Sequence, residues 1–318
     1  MRCSAGSLIT LTRRRLSLRP SAATSQKAAR MSLQDKVVII TGASAGIGRD
    51  LAKRLAQEKA RLVLAARSED KLQQLSTELS EGGTDVLVVR TDVSDPNDLD
   101  ALVEQTIERF QRIDVLINNA GVECFRHFEN VEMDEILQTI ETNLTGAIVL
   151  TRLVVPHMLQ QSSGAIINMA STAGKHCPPF GSVYGATKAG LIGFTQGLRG
   201  EYLDRGITAT AICPGFTKNG GIYDRIVQAT GKKTSRAQGG TSTKAVANAV
   251  LKAIRTGPPE LIVNWPPIRP AIVLREIFPR LGEMLTTAVS KRFLRKAAEM
   301  SAHEQDVTST GDPDQPTV

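Results

Sequence analysis

The chain has 318 residues, 41% hydrophobic and 22% charged, close to the averages for globular domains. That composition excludes a wholly disordered chain, a collagen-like repeat and a disulfide scaffold, and no run approaches the ~18 apolar residues of a membrane-spanning helix. The formal charge of +7 points to nucleic acid only until it is located. Arg2, Arg13, Arg14, Arg15, Arg19, Lys27 and Arg30 lie in residues 1–30, which hold no acid, and they account for the whole excess. From Met31 onward the charges balance, so the nucleic-acid reading loses its support.

The Arg- and Ser-rich segment 1–30 has the composition of an organellar transit peptide. Two other readings stand beside it: sequence upstream of a start at Met31, or a flexible basic arm. Cys3, Cys124, Cys177 and Cys213 lack metal-ligand spacing, as do His127, His157, His176 and His303, so no metal site is expected. A reducing compartment fits, and the expectation is cytoplasmic. The alternatives are an organellar matrix, if 1–30 is a targeting segment, or the periphery of a membrane.

Short apolar runs alternate with helical periodicity. Val37–Ile40, Arg61–Ala65, Val86–Val89, Val115–Ile117, Ala165–Met169, Ile207–Ile212 and Leu261–Val263 read as strands. Between them Leu51 and Leu55 make one helical stripe. Leu99, Leu102, Val103, Ile107 and Phe110 make another, entered through Ser94-Asp95-Pro96. Apolar strands separated by helices imply a doubly wound α/β domain, with a mostly parallel seven-stranded sheet covered on both faces. We place this domain at 31–265. Residues 217–240 read as a mobile insertion near the substrate. Segment 266–298 is a basic, amphipathic helical extension, suited to a membrane surface, to docking on the body, to covering a pocket or to a dimer contact. Residues 299–318 hold five acids and no Lys or Arg and read as a disordered tail.

The first strand runs into Thr41-Gly42-Ala43-Ser44-Ala45-Gly46-Ile47-Gly48, and a helix follows. A turn of this kind brings backbone N–H groups and a helix N-terminus to a pyrophosphate. Thr41, Gly42, Ser44, Gly46, Ile47 and Gly48 are therefore candidate dinucleotide ligands. After the second strand, Ala66 offers no carboxylate to ribose hydroxyls, while Arg67 offers a guanidinium to a 2′-phosphate. This favours NADP(H) over NAD. Asp92 and Val93, after the third strand, would lie beside the adenine.

Tyr184 and Lys188 are four apart on a helical stretch and so share a face. A neighbouring ammonium stabilises phenolate, which would lower the tyrosine pKa and tune it for acid–base work. Ser171 lies just past a strand, at the carboxyl edge where open α/β sheets bind ligands. Glu123, Cys124, His176, Cys177, Pro178 and the insertion are candidate pocket walls.

Taken in order, Gly42–Gly48, Asn118-Asn119-Ala120-Gly121, Asn143, Ser171, Tyr184-Gly185-Ala186-Thr187-Lys188 and Pro214-Gly215 resemble the short-chain dehydrogenase/reductase superfamily over roughly residues 33–263. The resemblance implies that Tyr184 exchanges a proton with the substrate oxygen and that Ser171 orients that oxygen, both touching substrate. It implies that Lys188 holds the nicotinamide ribose, and that Asn143 positions a water joining Lys188 to solvent. It adds Asn118, Ala120, Gly121, Tyr184, Pro214, Gly215 and Thr217 to the cofactor site. One departure is that Asn219 stands where the family often has a hydroxyl residue.

The expected function is an NADPH-dependent carbonyl reductase, or NADP-dependent alcohol dehydrogenase, acting on a moderately apolar ketone or secondary alcohol and assembled as a homo-oligomer. Two rivals are a catalytically silent dinucleotide-binding regulator and a membrane-surface lipid-binding protein organised by 268–298.

Overall fold

The structure is a computed structural model that describes residues 32–218, 239–284, 291, 294 and 295. In chain order its strands are β1 (Val37–Thr41), β2 (Arg61–Ala66), β3 (Val86–Arg90), β4 (Val115–Asn118), β5 (Gly164–Met169), β6 (Ile207–Pro214), β7 (Thr217–Lys218), β8 (Thr241–Ser242) and β9 (Glu260–Val263). The helices are α1 (Gly46–Ala56), α2 (Glu69–Glu81), α3 (Pro96–Phe110), α4 (Met133–Ile140), α5 (Gly146–Gln160), α6 (Ser182–Tyr202), α7 (Thr243–Thr256) and α8 (Arg269–Ile277).

Seven strands form one sheet in the order β3-β2-β1-β4-β5-β6-β9, every pairing parallel. This is the doubly wound arrangement, and the period-2 rule shows how it is covered. Val38, Ile40, Leu62, Leu64, Val115 and Ile117 face one layer, packed with Leu51 and Leu55 of α1, Leu72 and Leu75 of α2, and Val250 and Ile254 of α7. Their neighbours Val37, Ile39, Val63 and Leu116 face the other, against Leu102 of α3, Leu150 and Val154 of α5, and Leu198 of α6. Each fully buried aliphatic side chain contributes about 1.5–3 kcal/mol, so strands apolar on both faces are what hold two helical layers to one sheet.

From β1 the chain builds outward through β2 and β3, then returns to β4 on the other side of β1. The strand order therefore reverses between β1 and β4, opening a crevice at the carboxyl ends of those strands. At the opposite edge, Asp114 is buried and holds the sheet's amino ends. It accepts from Lys36 Nζ at 2.9 Å, from Arg112 Nη2 at 2.6 Å and from the Val37 N–H at 3.0 Å. Burial opposes ionisation of this carboxyl, but those partners outweigh it and hold its pKa below the ordinary value.

β7 and β8 pair with each other as a separate two-stranded ribbon. The insertion between them, anticipated as mobile, lies outside the described residues from 219 to 238, and so does Asn219. Residues 1–31 and the acidic tail also lie outside them. Beyond β9, Trp265 and Gly240 exchange backbone hydrogen bonds of 3.0 and 3.1 Å, which pins the start of the extension before α8 begins. Among the described residues no helix is long and apolar enough to cross a membrane.

Candidate active site

The crevice opens into a cavity of about 670 Å³, and the glycine turn forms its floor. Gly42 has φ +65°, and a Cβ there would lie 2.9 Å from Ala120 Cα. At Gly48 a Cβ would lie 2.2 Å from the Gly42 carbonyl oxygen, so any other residue would force α1 away from β1. Ala45, the N-cap of α1, has an extended backbone and supplies no side-chain acceptor. The first N–H groups of α1 are therefore left for a ligand.

Gly42, Ser44, Gly46 and Ile47 line the cavity. Thr41 and Gly48 do not; they shape the turn from behind. The Thr41 hydroxyl oxygen accepts from the N–H groups of Asn119 and Ala120, each at 3.0 Å. Arg67, Asp92 and Val93 form one end of the cavity. The Arg67 guanidinium is exposed and stands 4.0 Å from Asp92. Burial raises the Asp92 pKa, but hydrogen bonds from Ser94, with Arg67 and Arg90 nearby, bring it below the ordinary value.

Ala120 and Gly121 line the wall after β4, and Pro214, Gly215 and Thr217 the wall after β6. Asn118 points elsewhere: its amide donates to Asn168 Oδ1 at 2.8 Å and Thr151 Oγ1 at 3.0 Å, inside the core. It is Asn119 that lines the cavity, donating to the Thr41 carbonyl at 2.9 Å. Successive side chains of a strand point to opposite faces, and that alternation was the available signal for choosing Asn119.

At the other end α6 presents Tyr184 and Lys188 one turn apart, both buried. Ser171 follows β5 and caps a short 3-10 turn, its Oγ accepting from the Ala173 N–H at 3.1 Å. The Ser171 side chain lies near enough to the Tyr184 phenol to favour its ionisation slightly. Lys188 Nζ donates to the Met169 carbonyl at 2.9 Å and lies 5.8 Å from the centroid of the Tyr184 ring. Ser171, Tyr184 and Lys188 all line the cavity.

Burial dominates the electrostatics here. It pushes the Tyr184 phenol up to about 12, against a smaller opposing effect of the Ser171 side chain. It pulls the Lys188 ammonium down to about 8. The expectation of a phenol acidified by its lysine differs from this arrangement: removal from water raises the phenol, Glu123 and Cys213 add to the rise, and the Ser171 side chain opposes it only in part.

Asn143 lies in a π-helical turn, Glu141–Thr145, between α4 and α5. It accepts from the Val122 N–H at 2.7 Å and donates to the Val122 carbonyl at 2.9 Å and Thr187 Oγ1 at 3.2 Å. It thus ties the loop after β4 to the helix carrying Lys188, behind the cavity wall. Of the expected substrate walls, His176 and Pro178 line the cavity, whereas Glu123, Cys124 and Cys177 do not. Phe125 takes their place, its ring centroid 5.6 Å from that of Tyr184. The extension supplies Ile268, Ala271, Ile272 and Arg275, residues the sequence reading did not assign to the site. Their helical spacing was the signal, and it did not say which surface they faced.

The glycine turn and the uncapped start of α1 thus share one cavity with Ser171, Tyr184 and Lys188, at the carboxyl edge of a doubly wound parallel sheet. Residues 36–228 match the family model described as short chain dehydrogenase. A ketoacyl reductase, HetN, from Nostoc sp. is 39% identical over 261 residues, covering 82% of this chain and 88% of the relative. An uncharacterized oxidoreductase of Staphylococcus aureus strain MRSA252 is 35% identical over 238 residues, 75% of this chain and 98% of its own. A crystal structure of an actinorhodin polyketide ketoreductase variant with NADPH superposes with a TM-score of 0.67 at 31% identity, covering 72% and 96% of the two chains. A short chain dehydrogenase/reductase from Burkholderia phymatum in complex with NAD gives 0.70 at 28% identity, with 79% and 96% covered. The chain belongs to the short-chain dehydrogenase family. It is an oxidoreductase of a family that binds NAD(P) and acts on small molecules.

Proposed function

We propose that the protein is an NADPH-dependent carbonyl reductase, running in reverse as an NADP-dependent alcohol dehydrogenase, on a moderately apolar ketone or secondary alcohol. The observation that carries this reading is the grouping of Ser171 with buried Tyr184 and Lys188 in the same cavity as the uncapped N-terminus of α1.

The residues present fit a dinucleotide. The first-turn N–H groups of α1 and Ser44 would hold the pyrophosphate, and Asp92 and Val93 the adenine. Arg67 would meet a 2′-phosphate, Lys188 the nicotinamide ribose, and Pro214 to Thr217 the nicotinamide end. NADP(H) is favoured because Ala66 leaves no carboxylate to repel that phosphate; the ketoreductase neighbour with NADPH is in keeping with this. Bound there, the reduced nicotinamide supplies the hydride.

The substrate carbonyl oxygen would accept from the Ser171 and Tyr184 hydroxyls. As the carbonyl carbon gains the hydride, the C=O π pair moves to that oxygen, which takes the Tyr184 proton. A phenol held at about 12 stays protonated at neutral pH, which suits donation and hence reduction. An ammonium at about 8 gives up a proton readily, so Lys188 can re-protonate Tyr184. Asn143, by fixing Val122 and Thr187, keeps that lysine in register.

Homo-oligomerisation is proposed on a separate ground. Met133, Leu137 and Ile140 make an exposed apolar stripe along α4, and Ile148 of α5 is exposed too, a pattern that marks protein contact surfaces. The functional test is a panel of ketones, aldehydes and acyl thioesters monitored by NADPH absorbance. Saturable oxidation of NADPH with at least one ketone is expected. NADPH binding without turnover of any member would instead favour the catalytically silent regulator.

A further inference from the structure

α8 meets the cavity along one face. Ile268, at its N-cap, is followed there by Ala271, Ile272 and Arg275, the three-and-four spacing of a single helical stripe. Its start is tied down by the Trp265–Gly240 bridge and by Glu260, which pairs with Lys175 at 2.9 Å and Arg269 at 3.8 Å. After Phe278 the chain is helical again through 279–284 and passes back over the Arg275 backbone. A Cβ on Gly282 would lie 2.5 Å from Arg275 Cα, so Arg275 is clamped at the wall.

Its head group is the unusual feature. Arg275 Nη1 lies 3.1 Å from His176 Nε2. A guanidinium only donates, so the imidazole accepts at Nε2 and carries its own proton on Nδ1. Among the described residues no carboxylate pairs with Arg275, whereas three cations just outside the cavity are matched. Arg126 has Glu135 at 2.9 Å, and Lys175 and Arg269 share Glu260. Arg275 is partly buried, retains donors that His176 does not use, and shares the cavity wall with the apolar Phe125, Pro178, Ile268 and Ile272. A half-desolvated guanidinium with unused donors favours an oxyanion partner, which it can bind in a fork.

We propose that Arg275, held in place by His176, is the specificity-determining cation of the cavity, binding a carboxylate or phosphate carried by a substrate whose body is apolar. The inference rests on the reductase reading of this site and adds the substrate's chemical class. The same oxyanion chemistry also exists in the cofactor's phosphates, and the test separates the two.

The experiment uses the full chain and two readouts. Steady-state reduction of a medium-chain oxo acid is compared with that of its methyl ester. Calorimetric titration in the presence of NADP compares octanoate with octanamide, neither of which can be reduced. The wild type should favour acid over ester by about 10-fold in kcat/KM, mostly through KM, and octanoate over octanamide by about the same factor, the worth of a charge-assisted hydrogen bond. Arg275→Met and Arg275→Gln should bring both ratios close to one, and Arg275→Lys should keep part of them. Unchanged melting midpoints certify that the variants fold. Ratios that survive both neutral variants overturn the proposal, and so does an equal loss of NADPH affinity, which would assign Arg275 to the cofactor. If no carbonyl compound is turned over while the octanoate preference depends on Arg275, the anion site stands and the reductase reading fails.

Discussion

The two ends of the central strands handle buried charge in opposite ways. At the amino edge, Asp114 is wrapped by Lys36, Arg112 and a backbone N–H, and its carboxyl is held below the ordinary pKa. At the carboxyl edge, Lys188 has a carbonyl for a partner and, among the described residues, no carboxylate, and burial moves it and Tyr184 away from their charged forms. The first arrangement is complete within the protein and serves stability. The second leaves a donor and a cation at a cavity, where, in the proposed function, a ligand would finish the set.

The largest effect expected from breaking this contrast is at the incomplete edge. Tyr184→Phe should lower turnover by about 10²–10⁴-fold, the usual worth of a positioned general acid, while NADPH affinity measured by fluorescence titration stays within about twofold. Loss of binding and turnover together would make the phenol a structural group.

At the complete edge the change should appear in stability alone. Asp114→Asn leaves Lys36 and Arg112 facing an amide, and about 2 kcal/mol should be lost in urea unfolding. That is less than the ~3–5 kcal/mol of a fully enclosed pair, because both cations reach water. A depressed carboxyl contributes stability above its ordinary value of 3.8 and loses it as the pH falls through the folded-state value. The wild-type advantage should therefore shrink in acid. Lys188→Met should show the same direction of pH dependence in an alkaline window, but with the variant ahead of the wild type. The folded lysine, at about 8 against an ordinary 10.5, binds fewer protons than the unfolded one between those values, so wild-type stability gains with pH there. The methionine variant should have its greatest advantage below pH 8 and lose it toward 10.5.

A smaller shift is expected at the adenine end. Arg67→Asp should move the NADPH/NADH preference toward NADH by about 10-fold or more, the loss of one charge-assisted contact to a phosphate. An unchanged ratio of kcat/KM values would remove Arg67 from the cofactor site.

How much of this was legible in the sequence follows the same division. The β1 turn could be read because its demands are local: Gly42 needs a left-handed φ and Gly48 a close approach, and both are visible as residue types. The sheet could be read because Val37 to Ile40 alternate between two layers and are all apolar. What was hidden depends on segments that meet only after folding. Arg275 lies 99 residues from His176, and amphipathic spacing gave α8 a face without saying what it faced. The Tyr184 pKa was hidden for a related reason: the i, i+4 spacing announces the lysine, whereas the desolvation that raises the phenol comes from surroundings assembled by the whole fold.

The smallest expected effect carries the contrast of complete against incomplete to two helix starts, both at the carboxyl edge. α3 begins at Asp95, whose side chain accepts from the Asn97 N–H at 2.9 Å, so one of its first-turn donors is satisfied internally. α1 begins at Ala45, which also has extended backbone but offers no such acceptor. Ala45→Asp should make α1 resemble α3. A carboxylate at the N-cap accepts from the first-turn N–H groups and meets the positive end of the helix dipole, contributing about 1 kcal/mol to the ligand-free protein. The same carboxylate would occupy the donors proposed for the pyrophosphate and repel it, so NADPH affinity should fall by about 10-fold as the melting midpoint rises. If the midpoint rises and NADPH binding is untouched, the N-terminus of α1 is not where the phosphates bind, and the contrast between a finished and an unfinished edge loses its cofactor half.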